Sequence, residues 1–305
     1  MNPKQHAKRN TVLRVIAFLL IVALVYGALT RLLTINSITE QQYIRSFYLE
    51  PKNSLDVMIL GASETFTDYC APLAWQHAGF TSYPLAVSAA QGDRLSYYVP
   101  LLKYHDNWRK PDLIRNSLSL QQQARDAGYS YTKPFLSISM FLTETDEIPV
   151  RQQSLDDFNE QSLRTFCETA KARGIKNVLF ARFPHRTVIE NYDAVFAELE
   201  AVVHEYGYDF ANFDTQMDAI GLDPLNDFAN AEHLNIFGAE KFTPYLADYL
   251  AQHYDLNTAH SQAVTDEWTR CAAFTQQMLP VCEDNTRRYT CEKLDEFSPV
   301  FADCR

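Results

Sequence analysis

The chain has 305 residues, 47% of them hydrophobic and 21% charged, with a formal charge of −11. This is the composition of one sizeable globular domain with appendages, and it excludes repeat arrays, low-complexity segments and collagen-like architectures. The acidic balance offers none of the basic footprint that nucleic-acid binding requires.

The first segment stands apart. "TVLRVIAFLLIVALVYGALTRLL" (11–33) is apolar from Val15 to Thr30 and bracketed by Arg14 and Arg31. Arginines that snorkel at both ends give it the reach to cross a hydrocarbon core of roughly 30 Å. Residues 12–33 therefore read as a single-pass anchor in the cell membrane. Lys4, Lys8, Arg9 and Arg14 keep residues 1–11 in the cytoplasm, by the positive-inside rule, and place the rest outside. A cleaved signal peptide is the competing reading, but Tyr26 occupies a position before Gly27-Ala28 where cleavage wants a small residue. Residues 1–33 hold five basic and no acidic side chains, so removing their charge from −11 leaves −16 on the exported part.

Residues 34–54 read as a juxtamembrane connector. Beyond it, "LDVMIL" (55–60) is a continuous apolar strand, and "PLAWQHAGF" (72–80) a short helix stopped by Gly79. "TSYPLAV" (81–87) is a second strand. Residues 94–108 have helical apolar spacing despite Pro100, 111–120 read as a third strand, and 121–150 as irregular. The stretch 154–174 is a helix with Ser154 as N-cap, acids in its first turn and Gly174 as its stop. A strand at 176–183, a helix at 187–207 ended by Gly207, a strand at 208–213 and a helix at 235–254 complete the body. Strands alternating with helices predict a three-layer α/β sandwich around a mostly parallel central sheet, flavodoxin-like in type, over 55–254. Functional groups of such folds collect at the C-terminal ends of strands. Residues 255–305 form a cysteine-rich extension.

In "MILGASETFTDY" (58–69) the first strand stops on Gly61-Ala62 and presents Ser63 at its C-terminal end. A serine hydroxyl is a poor nucleophile until a base takes its proton and a third group orients the base. Beyond the N-terminal segment the other histidines are His77, His105, His185, His204, His253 and His260, and most of them lie on helical patterns. His233 instead lies in the polar stretch "NDFANAEHLNIFGAEKF" (226–242), between the last strand and the last helix, where the chain returns to the edge that carries Ser63.

"ILGASET" and "NAEHLNIFGAEKFT" resemble the first and last blocks of the SGNH (GDSL-type) hydrolases. The anchor, the ectodomain and "SYPLAVSAAQGD" are similar to the membrane-tethered DltD-like branch, which is associated with acyl transfer to cell-surface polymers. The resemblance covers roughly residues 55–254. It implies Ser63 as nucleophile and His233 as general base, with an oxyanion hole from the Ser63 N–H, Gly92 and Asn116. Where the family has an aspartate three residues before the histidine, this chain has Asn230. An asparagine oxygen can orient an imidazole but brings no negative charge. Asp227 and Glu232 are the nearby acids that could replace it if the loop folds suitably, each otherwise a solvated loop acid. A slow esterase, a variant triad and a binding protein on an enzyme's fold all stay open.

The resemblance further implies an esterase or O-acyltransferase working through an acyl-serine intermediate on an acylated surface glycan or glycopolymer, with a membrane-bound O-acyltransferase as donor partner. The alternative is an inactive accessory or glycan-binding protein.

The remaining polar features are less specific. Arg182, His185 and Arg186 in "ARFPHR" could receive a phosphate or carboxylate of a surface polymer, or pair with Glu190 and Asp193. Glu64 and Asp68 read as acids favoured at a helix start, and Tyr97 and Tyr98 as core. Of six cysteines, Cys70 and Cys167 lie in the body, while Cys271, Cys282, Cys291 and Cys304 crowd the tail. No C-x-x-C occurs, so tail disulfides are expected outside the cytoplasm, with three pairings open. His, Asp and Cys nowhere cluster at ligand spacing, so no metal or cofactor is called for.

Overall fold

The computed structural model describes residues 3–33, 46–47, 50–86, 129–138, 140–142 and 146–288. The chain divides into two compact units, Met1–Gln41 and Gln42–Arg305.

The first unit is helix α1 (Pro3–Leu33). Every large apolar side chain from Val12 to Tyr26 is exposed. Among the described residues no helix is long and apolar enough to cross a membrane; in α1 the described side chains are those at 10 and 12–28.

The second unit is a mixed α/β domain built on small parallel sheets. Strand β1 (Val57–Gly61) is followed by α2 (Glu64–Thr67) and α3 (Ala71–Ala78), then by β2 (Ser82–Ala86). β1 and β2 run parallel, from Val57 against Ser82 to Gly61 against Ala86. A parallel pair cannot be closed by a tight hairpin, and α2 with α3 supplies the crossover. Gly79 ends α3 at φ 78°, a left-handed conformation that glycine enters without steric cost. The short helix α4 (Tyr129–Thr132) lies within the stretch expected to be irregular. The helix expected at 94–108 and the strand at 111–120 lie outside the described residues.

A two-residue strand, β3 (Val150–Arg151), precedes α5 (Asp157–Ala172). The cap of α5 is Asp156, whose carboxylate accepts from the Asn159 N–H at 2.8 Å, in place of the expected Ser154. Strand β4 (Leu179–Arg182) follows, then β5 (Val188–Ile189), α6 (Tyr192–Glu205) and β6 (Asp209–Asn212). β4 pairs with β6 in parallel, from Leu179 against Asp209 to Arg182 against Asn212, with α6 between them in sequence. The helix expected from 187 begins only at Tyr192, because Val188 and Ile189 are drawn into parallel pairing with Val150 and Arg151. Among the described residues the strands form three two-stranded parallel sheets.

A short 3₁₀ turn (Phe213–Gln216) and α7 (Met217–Ile220) lead to the 223–235 loop, then to α8 (Ile236–His253) and α9 (Gln262–Arg288). The buried side of α8 repeats at helical spacing through Ile236, Ala239, Phe242, Thr243, Leu246, Ala247 and Leu250. Phe242 meets Phe183 edge-on at 4.7 Å and Phe213 at 5.5 Å, which locks α8 against the ends of β4 and β6.

α9 packs over α3 and α4 with Trp268, Phe274, Met278 and Leu279 buried. Its Cys271 and Cys282 are both buried, and of the expected disulfide pairings the one that joins them to each other is excluded. They sit on one helix with about 16 Å of rise between them, beyond the roughly 7 Å that a disulfide spans. Cys291 and Cys304 lie outside the described residues. Part of the expected connector also belongs to the body. Phe47 is buried against Tyr83 at 5.4 Å between ring centres, and Glu50 forms a buried ion pair with Lys133.

Candidate active site

Ser63 leaves β1 through Gly61 and Ala62 and takes helical dihedrals at the start of α2. Its carbonyl accepts from the N–H groups of Phe66 and Thr67, both at 3.0 Å, so the serine backbone is fixed by the turn it opens. A Cβ at Gly61 would lie 2.2 Å from the Thr65 hydroxyl oxygen, so a side chain there would require the Thr65 side chain to move.

The 223–235 loop is clamped from inside. Phe228 and Leu234 are both fully buried and pair across an antiparallel bridge, so the residues between them are forced out as a tight arch. The Ala229 N–H donates to the His233 carbonyl at 2.9 Å, closing the arch. Asn235 anchors its end: its side-chain oxygen accepts from the N–H groups of Phe237 and Gly238 and caps α8, while its amide donates to the Asn226 carbonyl at 2.9 Å. Gly238 is needed for the fit, since a Cβ there would stand 2.2 Å from the Asp227 carbonyl oxygen.

This arch brings His233 to Ser63. His233 Nε2 lies 2.7 Å from Ser63 Oγ, and Nδ1 lies 3.0 Å from Asn230 Oδ1. The same Asn230 oxygen accepts from the Glu232 backbone N–H at 2.9 Å. That N–H can only donate, so it holds the oxygen of the amide, not its NH₂, toward the ring. Nδ1 must then carry the hydrogen, and Nε2 is left with its lone pair facing the serine hydroxyl. The tautomer is the one a general base needs.

Two further contacts tie the halves of the site together. Asp68 is wholly buried, and its Oδ1 accepts from the Leu234 N–H at 3.1 Å and from the Thr67 hydroxyl at 2.7 Å. The segment after Ser63 is thereby bonded to the residue after His233. The Ala231 carbonyl, on the arch itself, accepts from the Arg186 N–H at 2.8 Å and the Thr187 N–H at 3.1 Å.

The charges around the base differ in how far they are neutralised. Burial lowers the His233 pKa; Glu64 and Glu232 pull it up and His185 pushes it down, leaving it below the ordinary histidine value. Burial raises the Glu64 carboxyl, but the hydrogen bond with His185, a local backbone contact and the charges of His185 and His233 outweigh it and hold Glu64 below its usual range. Burial pushes Asp68 well above the carboxylate range, against the hydrogen bond from Thr67. Its Oδ2 is buried without a hydrogen-bond partner among the described residues.

Several expected site residues do other work. Asp227 is engaged away from the His233 ring. Its carboxylate pairs with Lys241 at 2.5 Å and accepts the Asp223 N–H at 2.6 Å, which makes it the anchor of the loop's outer turn. Glu232 points away to Arg151 at 2.7 Å. Arg182 is held by Asp214 at 2.7 Å and lies over the Phe196 ring, so its partner is neither Glu190 nor Asp193. His185 is the member of "ARFPHR" that reaches the site, with Nε2 at 3.3 Å from Glu64 Oε1. Gly92, Asn116, Tyr97 and Tyr98 lie outside the described residues. Asp214 went unmarked in the sequence. Its three contacts depend on the β4–β6 register, and no local motif announces them. Among the described residues no group of His, Cys, Asp or Glu side chains is arranged to hold a metal ion.

Compared with known proteins, the chain matches no family model, no curated protein and no solved structure.

Proposed function

We propose that the chain is a serine-dependent esterase or O-acyltransferase of SGNH type that works through an acyl-serine intermediate. The observation that carries this reading is the run Ser63 Oγ, His233 Nε2, His233 Nδ1, Asn230 Oδ1, with contacts of 2.7 and 3.0 Å and the base-competent tautomer. Ser63 Oγ attacks the acyl carbonyl as its proton passes to His233 Nε2. The tetrahedral adduct collapses, the ester C–O bond breaks, and the departing alkoxide takes that proton. Water or an acceptor sugar hydroxyl then gives its proton to His233 and attacks the acyl-serine, and Ser63 leaves with the proton. The Ser63 N–H is one donor to the oxyanion, with Gly92 and Asn116 as the further candidates.

The substrate class we infer is an acylated cell-surface glycan or glycopolymer. The uninterrupted apolar run of residues 15–30 supports anchoring by α1, with the catalytic domain on the extracytoplasmic side and a membrane-bound O-acyltransferase as acyl donor. A second reading, an accessory glycan-binding protein that has lost its chemistry, is favoured by one observation, the absence of a carboxylate at position 230. The two separate on exposure of the full-length chain in detergent to a fluorophosphonate probe. Covalent labelling that disappears in Ser63→Ala and His233→Ala supports the enzyme. A folded wild-type chain that takes up no label supports the binding protein.

A further inference from the structure

Contacts inside the 223–235 loop cannot set its distance from Ser63. The Asn230 oxygen orients the imidazole and the Ala229 N–H closes the arch, yet both belong to the segment that carries His233. Other ties of the loop lead elsewhere: the Ala231 carbonyl to the N–H groups of Arg186 and Thr187, Glu232 to Arg151, and Asp227 to Lys241 on α8. Asp68 ties it to the nucleophile's side. This residue is the C-cap of α2, the helix that opens on Ser63, and its Oδ1 takes the Leu234 N–H at 3.1 Å across 166 positions of sequence. We propose that Asp68, together with the Thr67 hydroxyl, is a positioning residue that sets the reach of His233 Nε2 to Ser63 Oγ. This rests on the acyl-transfer reading above. Asn230 orients the ring within its loop, and Asp68 registers the loop against the nucleophile.

The bridge runs bond by bond from one catalytic backbone to the other. The Thr67 hydroxyl lies 3.1 Å from the Ser63 carbonyl oxygen and 2.7 Å from Asp68 Oδ1. That carbonyl also accepts the Phe66 and Thr67 N–H groups, and the Asp68 N–H donates to the Glu64 carbonyl at 2.8 Å. The nucleophile and Asp68 therefore share one turn of backbone. On the far side, Leu234 is fully buried in its bridge with Phe228. Its N–H belongs to the peptide bond that follows His233, so the bond to Asp68 holds the backbone of the base. Thr67, Asp68 and Leu234 are all buried, and hydrogen bonds in such a low-dielectric interior keep their geometry. An apolar side chain at position 68 would avoid the cost of burying a carboxyl, but it would leave the Leu234 N–H unsatisfied. A misplacement of about 1 Å at a reacting centre can cost about 100-fold in rate, so this tie acts on the chemistry as well as on folding.

The test pairs a reactivity readout with one that needs no turnover, both on the full-length chain in detergent. The first is the second-order rate of labelling by a fluorophosphonate. The second is the ¹⁵N resonance of His233 Nε2 at about pH 8, where the ring is neutral, assigned with His233→Gln. Its position reports the hydrogen bond from Ser63, and Ser63→Ala gives the unbonded limit. Asp68→Leu removes both contacts. In chain that a melting curve shows to be folded, it should slow labelling about 100-fold and move the resonance toward the Ser63→Ala limit. Asp68→Asn keeps the acceptor for the Leu234 N–H and should recover most of the rate and the wild-type resonance. Thr67→Val keeps the shape of the side chain, loses its hydroxyl and should slow labelling about tenfold. It decides the question if Asp68→Leu does not fold. A folded variant of either kind with wild-type rate and resonance overturns the proposal, and so does an equal loss in Asp68→Asn. A wild-type chain that takes no label refutes the acyl-transfer reading, while the resonance still decides what Asp68 holds in place.

Discussion

Two polar clusters sit at strand ends on this domain, and they differ in what they leave unspent. At the ends of β4 and β6, Asp214 is saturated: Oδ2 takes Arg182 at 2.7 Å and the Tyr192 hydroxyl at 3.1 Å, and Oδ1 takes the His185 N–H at 2.5 Å. The charges cancel within the cluster, and Arg182 stacks on Phe196 at 5.0 Å. At the end of β1 the donors converge instead: the Ser63 hydroxyl gives to His233 Nε2, and the His233 Nδ1–H and the Glu232 N–H both give to Asn230 Oδ1. The His233 lone pair is thereby aimed at a hydroxyl, the arrangement that the proposed acyl transfer uses. Position on the rim selects both clusters. They differ in that every side-chain oxygen of Asp214 is engaged by a donor, whereas His233 keeps a lone pair toward Ser63.

The comparison breaks most sharply at the nucleophile. Ser63→Ala and His233→Ala should each reduce acyl-enzyme formation by about 10⁴-fold or more, with thermal stability little changed, as stopped-flow acylation and a melting curve would read. At the other cluster the effects should reverse. Arg182→Met leaves Asp214 buried with its charge uncompensated and should cost about 3 kcal/mol in urea unfolding, while the chain that remains folded still acylates. Asn230→Asp sharpens the contrast from the machinery side. It adds the missing charge without changing the tautomer, and the acylation rate should rise about tenfold.

Two pH effects are smaller. In the proposed chemistry His233 serves as a base only when unprotonated, and burial holds its pKa below the ordinary 6.5. The acid limb of kcat/KM should therefore have its midpoint below pH 6.5, with activity flat above it. Burial raises the Asp68 carboxyl well above the ordinary 3.8, so the stability it lends is full below that value and is lost as pH rises toward the folded one. Asp68→Asn keeps the acceptor for the Leu234 N–H and removes the titration. Its melting temperature relative to wild type should accordingly climb from pH 4 to pH 8.

What the sequence disclosed follows from the range of the physics involved. Ser63 was legible because a strand ending on Gly-Ala-Ser is a local pattern, and His233 because it is the one loop histidine near a returning edge. The strands β1, β2, β4 and β6 and the helix α8 fall close to where apolar spacing puts them. The partners of Glu64 and Asp214 were not legible, since His185 is 121 residues from Glu64 and Asp214 is 32 from Arg182. Asp227 looked like a spare acid because it lies near His233 in sequence, yet Lys241 on α8 is the cation it faces. The α5 cap was misplaced by two residues because Ser154 and Asp156 are both good N-caps, and only the backbone geometry chooses. β5 was hidden inside a helical pattern because two residues of pairing leave no periodicity.

The most direct test of the central claim is intact-mass and peptide-mapping analysis of the full-length chain after brief incubation with an activated short-chain acyl ester. The account predicts one acyl adduct per chain, mapped to Ser63 and absent in His233→Ala. An unmodified Ser63 in a folded chain, or an adduct that forms equally well without His233, would contradict it.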